Sequence, residues 1–113
     1  MDKFNTLLYK ESHRSGQMYK DKKVIVVMPA YNAANTLQKT YDEVMAQGMV
    51  DLIILVDDAS SDETSQIAGR LPQTKVRVHE KNLGYGANQK TCYRMALAEG
   101  ADIVMVKPAL PYL

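Results

Sequence analysis

The sequence has no tryptophan, a single phenylalanine and a single cysteine among 113 residues, and no excess of charge of either sign. Each shortage removes a class of protein. The lone Cys92 cannot form an intramolecular disulfide, which fits a reducing compartment, and without a partner triad its thiol reads as a small buried helix residue. Fourteen Lys and Arg against thirteen Asp and Glu leave a net charge of +1, so no bulk attraction to nucleic acid or to an anionic membrane is implied. No apolar run has the length of a membrane span, and the polar start MDKFNTLLYKESHR lacks a signal peptide's apolar middle. The expected location is the cytoplasm, with a peripheral membrane contact as the variant. His13 and His79 stand alone, without partners at metal-ligand spacing.

What is present suits one globular domain: 46% hydrophobic and 24% charged residues are ordinary for a folded soluble chain. The charge is uneven, with residues 1–23 net basic and the remainder net acidic. Residues 1–22 are expected to form a helical or flexible extension, and residues 23–113 the folded unit.

Four short runs rich in Val and Ile predict strands over Lys23–Met28, Leu52–Val56, Lys75–His79 and Asp102–Val106. The continuous runs VIVVM and LIILV suit parallel strands covered on both faces, whereas KVRVH alternates as a sheet-edge strand does. Three helical patterns lie between them. The first places Leu37, Tyr41, Val44 and Met45 inward, with Asn35 as cap, Gln38 reciprocating and Gly48 as stop. The second has Ser60 capping with Glu63, Ile67, Ala68 and Leu71 inward, and Pro72 blocking continuation. The third runs from about Gly86 to Glu99, with Tyr93, Ala96 and Leu97 inward and Gly100 ending it.

The order βαβαβαβ demands a mostly parallel sheet with right-handed crossovers, a Rossmann-like α/β layer architecture. In such a sheet every strand ends on the same side, so the segments after Met28, Val56, His79 and Val106 share one rim, where open α/β sheets bind ligands.

Three rim segments carry chemistry. In MPAYNAANTL, Pro29 helps end the strand, Tyr31 offers a ring on which a planar base could stack, and Asn32 offers an amide; an ordinary Pro–Asn turn would look the same. In VDDASSDET, neighbouring residues of a strand point to opposite faces, so Asp57 and Asp58 are poor partners for one metal ion. A carboxylate accepts hydrogen bonds only, which suits ribose hydroxyls or a base N–H, while Asp62 suits the start of the next helix. In NLGYGANQKT, Gln89 breaks both the dinucleotide fingerprint and the P-loop pattern. Small residues leading into a helix still leave amide groups free to approach a diphosphate, and Lys90 could add charge; a glycine connection needing positive φ is the plain alternative.

Taken together, VIVVMPAYNAANTL, LIILVDDASSDET, NLGYGANQKT and GADIVMV, in this order, resemble the family 2 nucleotide-sugar glycosyltransferases of the GT-A fold over about residues 23–106, closest to polyprenyl-phosphate sugar synthases. The resemblance implies a four-stranded sheet of order 3-2-1-4 with helices on both faces. It implies a nucleoside bound by Pro29, Ala30, Tyr31, Asn32, Asp57 and Asp58, and a loop over Asn82, Gly84, Gly86 and Asn88, with Lys90 behind it, that closes on the ligand. It implies a UDP- or GDP-sugar donor, inverting transfer, and a lipid phosphate or glycan acceptor.

The family's acidic metal-binding motif follows the fourth strand, where a carboxylate helps Mg²⁺ or Mn²⁺ neutralise the departing diphosphate. Here VMVKPALPYL places Ala109 at that position, and a methyl group cannot coordinate a hard cation. The second half of the family domain, with the acceptor site and general base, is also absent, so an incomplete chain of doubtful activity is expected. The alternatives are a non-catalytic nucleotide-binding module, a homo-oligomer built through the sheet edge exposed after the fourth strand, and a phosphate binder that depends on Lys90.

Overall fold

The protein is described by a computed structural model covering residues 5–6 and 21–112. Among the described residues the sheet has five strands: β1 (Asn5–Thr6), β2 (Val24–Ala30), β3 (Leu52–Asp57), β4 (Thr74–Val78) and β5 (Ile103–Val106). Among the described residues three helices join them, α1 (Leu37–Met45), α2 (Thr64–Ala68) and α3 (Tyr85–Ala98). The spatial order is β1-β5-β2-β3-β4, with β2 parallel to both β3 and β5, and β3 parallel to β4. The four long strands are therefore all parallel and carry the expected 3-2-1-4 order.

The apolar runs explain the centre of the sheet. All seven residues of β2 are buried, because helices cover both of its faces. Val24, Val26 and Met28 point with Leu37, Val44, Ile53, Leu55 and Met105 into one core, while Ile25, Val27, Ile54 and Val56 meet Cys92 and Ala96 of α3 on the other. The alternating β4 lies at the edge, with Thr74 and Val76 half-buried and Lys75 and Arg77 wet; Val78, which the alternation turns inward, is 51% exposed. At the opposite end from the rim, the carboxylates of Asp51 and Asp102 accept the backbone N–H groups of Val24 and Lys23, each at 2.8 Å, and pin the start of β2.

Local details depart from expectation. Pro29 does not end its strand; β2 runs on to Ala30, and Pro29 pairs with Val56 in the register. Neither Asn35 nor Ser60 caps a helix: α1 and α2 begin after Thr36 and Glu63 without side-chain caps. Ser60 is drawn to Asp57 instead, and Asp62 serves the start of α2 by accepting from Thr64 N at 3.0 Å. Leu97 faces outward, 70% exposed, because the inward stripe of α3 is Asn88, Cys92 and Ala96, spaced four apart. Gly48 and Gly100 follow their helices at φ +74° and +81°, as left-handed stops do.

The edge of β5 does not stand open along its whole length. Asn5 and Thr6 pair antiparallel with Val106 and Met105. The rest of the expected extension over residues 1–22 lies outside the described residues, apart from Asp21 and Lys22.

Candidate functional site

The parallel strands deliver their ends to one rim, and the residues there interlock. Tyr31 and Asn32 follow β2, Asp57 and Asp58 end β3, His79 follows β4, and the segment from Lys107 to Tyr112 follows β5. The start of α3 completes the ring, where Asn88 is fully buried and its amide donates to Val56 O at 2.8 Å.

The first loop is held by the second. Asn32 sits at φ +51°, its N–H donating to Ser60 Oγ at 2.7 Å while its side-chain oxygen accepts from Ser61 N at 2.9 Å. Ala33 N donates to Thr64 Oγ1 at 2.9 Å and Ala34 N to Asp62 at 3.1 Å. Asp62 is thus a structural acid that ties the start of α1 to that of α2. Burial raises its pKa, but donors from Thr64 and Ala34 outweigh this and hold it below the ordinary carboxylate value.

Asp57 and Asp58 diverge as the strand geometry requires. Asp57 is 1% exposed and accepts from Ser60 N at 3.2 Å and from the Ser60 hydroxyl. Its burial raises its pKa, only partly countered by Ser60. Asp58 has no exposed surface at all and is surrounded by donors. Its Oδ1 accepts from Leu83 N at 2.8 Å and faces His79 Nδ1 at 2.9 Å; its Oδ2 accepts from Gly84 N at 2.9 Å and from the Tyr112 hydroxyl at 2.5 Å. Burial works against the charge, yet Leu83, Tyr112, His79 and Gly84 together outweigh it and bring Asp58 below its ordinary value.

Asp58 therefore organises the glycine loop. Gly84 is at φ +96°, which glycine adopts without steric cost, and its N–H also reaches Asn82 Oδ1 at 2.9 Å. Of the remaining sequence candidates, Pro29 and Ala30 are buried in β2 and contribute backbone carbonyls, to Ala109 N and Asp58 N respectively. Asn82, Gly86 and Lys90 are exposed on the outside of the loop and of α3.

Two participants escaped the sequence reading. His79 touches Asp58 with one ring nitrogen and Thr91 Oγ1, at 2.9 Å, with the other. Its signal was its place at the end of a rim strand, not any motif. Tyr112 packs against Tyr31 with ring centroids 5.9 Å apart and edge-on against Tyr85 at 5.0 Å. Nothing in the spacing of PALPYL signals that contact, because the tail must first fold back over the rim.

Among the described residues no three His, Cys, Asp or Glu side chains group as metal ligands. Ala109, at the position that the resemblance gives to the metal-binding acid, is fully buried, bridged to Ala30 in the sheet, with its N–H on Pro29 O at 2.9 Å.

The same arrangement of strands and loops occurs in known proteins. The chain is 34% identical over 87 residues to the glycosyltransferase GlyG of Streptococcus pneumoniae, covering 74% of this chain and 29% of that protein. It is 33% identical over 66 residues to the succinoglycan biosynthesis protein ExoO of Rhizobium meliloti, covering 56% of this chain and 19% of that one. Among solved structures, it superposes on glucosyl-3-phosphoglycerate synthase of Mycobacterium tuberculosis, in complex with Mn²⁺, UDP and glucosyl-3-phosphoglycerate, with a TM-score of 0.62 and 26% identity over 86% of this chain and 39% of that one. The chain thus spans less than a third of the length of these curated relatives. The family model described as glycosyl transferase family 2 matches residues 25–106, and the chain belongs to that family.

Proposed function

We propose that this chain is the nucleotide-binding part of a family 2 glycosyltransferase, taking a UDP- or GDP-sugar at the rim formed by Tyr31, Asn32, Asp58 and the loop from Asn82 to Asn88. The observation that carries this reading is the convergence of an aromatic face, Tyr31, and a buried acceptor-only carboxylate, Asp58, at the ends of adjacent strands. A planar base stacks on the ring while its ring N–H donates to the carboxylate, and loop amides near the start of α3 approach the diphosphate. The polyprenyl-phosphate subtype, with a lipid phosphate as acceptor, belongs to the same proposal; among the described residues no helix is long and apolar enough to cross a membrane.

In inverting transfer an acceptor hydroxyl attacks the anomeric carbon opposite the diphosphate, the bond to the diphosphate breaks, and a base takes the hydroxyl proton. The described residues supply the donor grip. They supply no cation seat, since Ala109 presents a methyl group where the family has an acid.

That alanine favours a second reading, nucleotide binding without transfer. Calorimetric titration with UDP, GDP and their sugars, with and without Mn²⁺, tests both. Binding that Mn²⁺ does not strengthen is the expected result, and absence of binding at millimolar nucleotide by the folded protein would dismiss the donor site.

A further inference from the structure

The segment after β5 does something that the donor-site reading does not require. Ala109 anchors it in the sheet, and Leu110 O accepts from the Thr36 hydroxyl, after which Leu110 and Pro111 run exposed over the rim. The next residue, Tyr112, turns back inward. Its ring lies against Tyr31 and meets Tyr85 edge-on, its hydroxyl donates to Asp58 Oδ2 at 2.5 Å, and the Asn88 amide donates to that hydroxyl at 3.3 Å.

These are the two features that a base would need, an aromatic face and a carboxylate facing a ring-borne donor. With Tyr112 in place Asp58 has no exposed surface, so no external donor reaches it. Burial first, and the Asp58 carboxylate second, raise the phenol above its ordinary pKa.

We propose that Tyr112 is a built-in surrogate for the nucleobase, closing the site in the free protein and yielding it to an incoming nucleotide. This rests on the nucleotide reading above and adds a gate to it. The strap is suited to release: Tyr112 belongs to neither hydrophobic cluster, and the exposed Leu110 and Pro111 separate it from the anchored Ala109. Departure of the ring therefore exposes Asp58 without opening the core. A site that is competent only when the strap is out binds ligand more weakly by the competent fraction.

The test is titration of the full chain and of Tyr112→Phe and Tyr112→Ala with UDP, alongside NMR of ¹³C-labelled tyrosine rings, with Tyr112 identified by its loss in the variants. Tyr112→Phe keeps the ring but loses the donor, and UDP should bind it roughly threefold more tightly; Tyr112→Ala empties the slot and should bind about tenfold or more tightly. In the unaltered chain, UDP should move the Tyr112 resonances to solvent-exposed positions. UDP binding with the Tyr112 resonances unmoved, or with equal or weaker affinity in both variants, overturns the gate and leaves the donor site standing. Failure of both UDP and GDP to bind any of the three folded chains overturns both.

Discussion

The imidazole of His79 bridges the end of β3 and the body of α3, with Nδ1 2.9 Å from Asp58 Oδ1 and Nε2 2.9 Å from Thr91 Oγ1. A carboxylate only accepts, so Nδ1 carries the hydrogen in that contact. His79→Ala removes one of four donors from a fully buried acid and should cost about 1–2 kcal/mol of stability. Urea denaturation at neutral pH checks it, and an unchanged midpoint would mean that water replaces the ring at no cost.

Asp58 also sets an acid limb. Its pKa is lower in the folded protein than in the unfolded chain, so its stabilisation is complete above the unfolded value of about 3.9 and is lost as pH falls through the native value. Asp57 works in the opposite sense: its raised pKa is a penalty on the charged form that is relieved as pH falls. Asp58→Asn should cost about 2–3 kcal/mol at pH 7, because an amide nitrogen then confronts donors, and should flatten the loss of stability below about pH 4. Denaturation midpoints between pH 7 and pH 2.5 give the comparison.

Ala59 sits at φ +63° in the turn between Asp58 and Ser60. An alanine Cβ is strained there, and glycine is not. Ala59→Gly should stabilise the protein by about 0.5–1 kcal/mol, a rise of several degrees in Tm for a domain of this size, after allowance for the greater freedom of glycine in the unfolded chain. A drop in Tm would show that the turn does not carry that strain.

Cys92 is fully buried, and burial pushes its thiol up to about 12. The thiolate, not the thiol, attacks disulfide reagents. A chromogenic disulfide at pH 8 should leave the native chain unmodified for hours and label it fully in guanidinium. Rapid labelling of the native chain would place the residue at the surface.

For the proposed donor site, Tyr31 supplies the stacking face. Tyr31→Ala should weaken UDP binding about fivefold, in keeping with ~1 kcal/mol for an aromatic contact beyond its area, while Tyr31→Phe should bind as the unaltered chain does. Calorimetry distinguishes these outcomes, and equal loss in both variants would assign the effect to the hydroxyl.

Much of the site's frame was legible in the residues alone. The continuous apolar runs around Ile25 and Ile54 and the alternation of Lys75–Val78 led to a parallel sheet with a wet edge, which brought Tyr31, Asn32, Asp57 and Asp58 to one rim. Cap assignments failed at Asn35 and Ser60, because the helices begin one to three residues later, after Thr36 and Glu63. The Ser60 oxygen instead accepts from Asn32 N at 2.7 Å, while its hydroxyl donates to Asp57, three residues back.

By itself, then, the order of apolar runs and turns determined the sheet, its direction and the edge at which chemistry gathers, since burial and strand period act over a few neighbouring residues. Tertiary structure alone decided how Asp58 is used. Its four partners, Leu83, Gly84, His79 and Tyr112, lie 21 to 54 residues away along the chain. A buried carboxylate draws in whatever donors the folded rim brings within about 3 Å, and no local pattern records which those are.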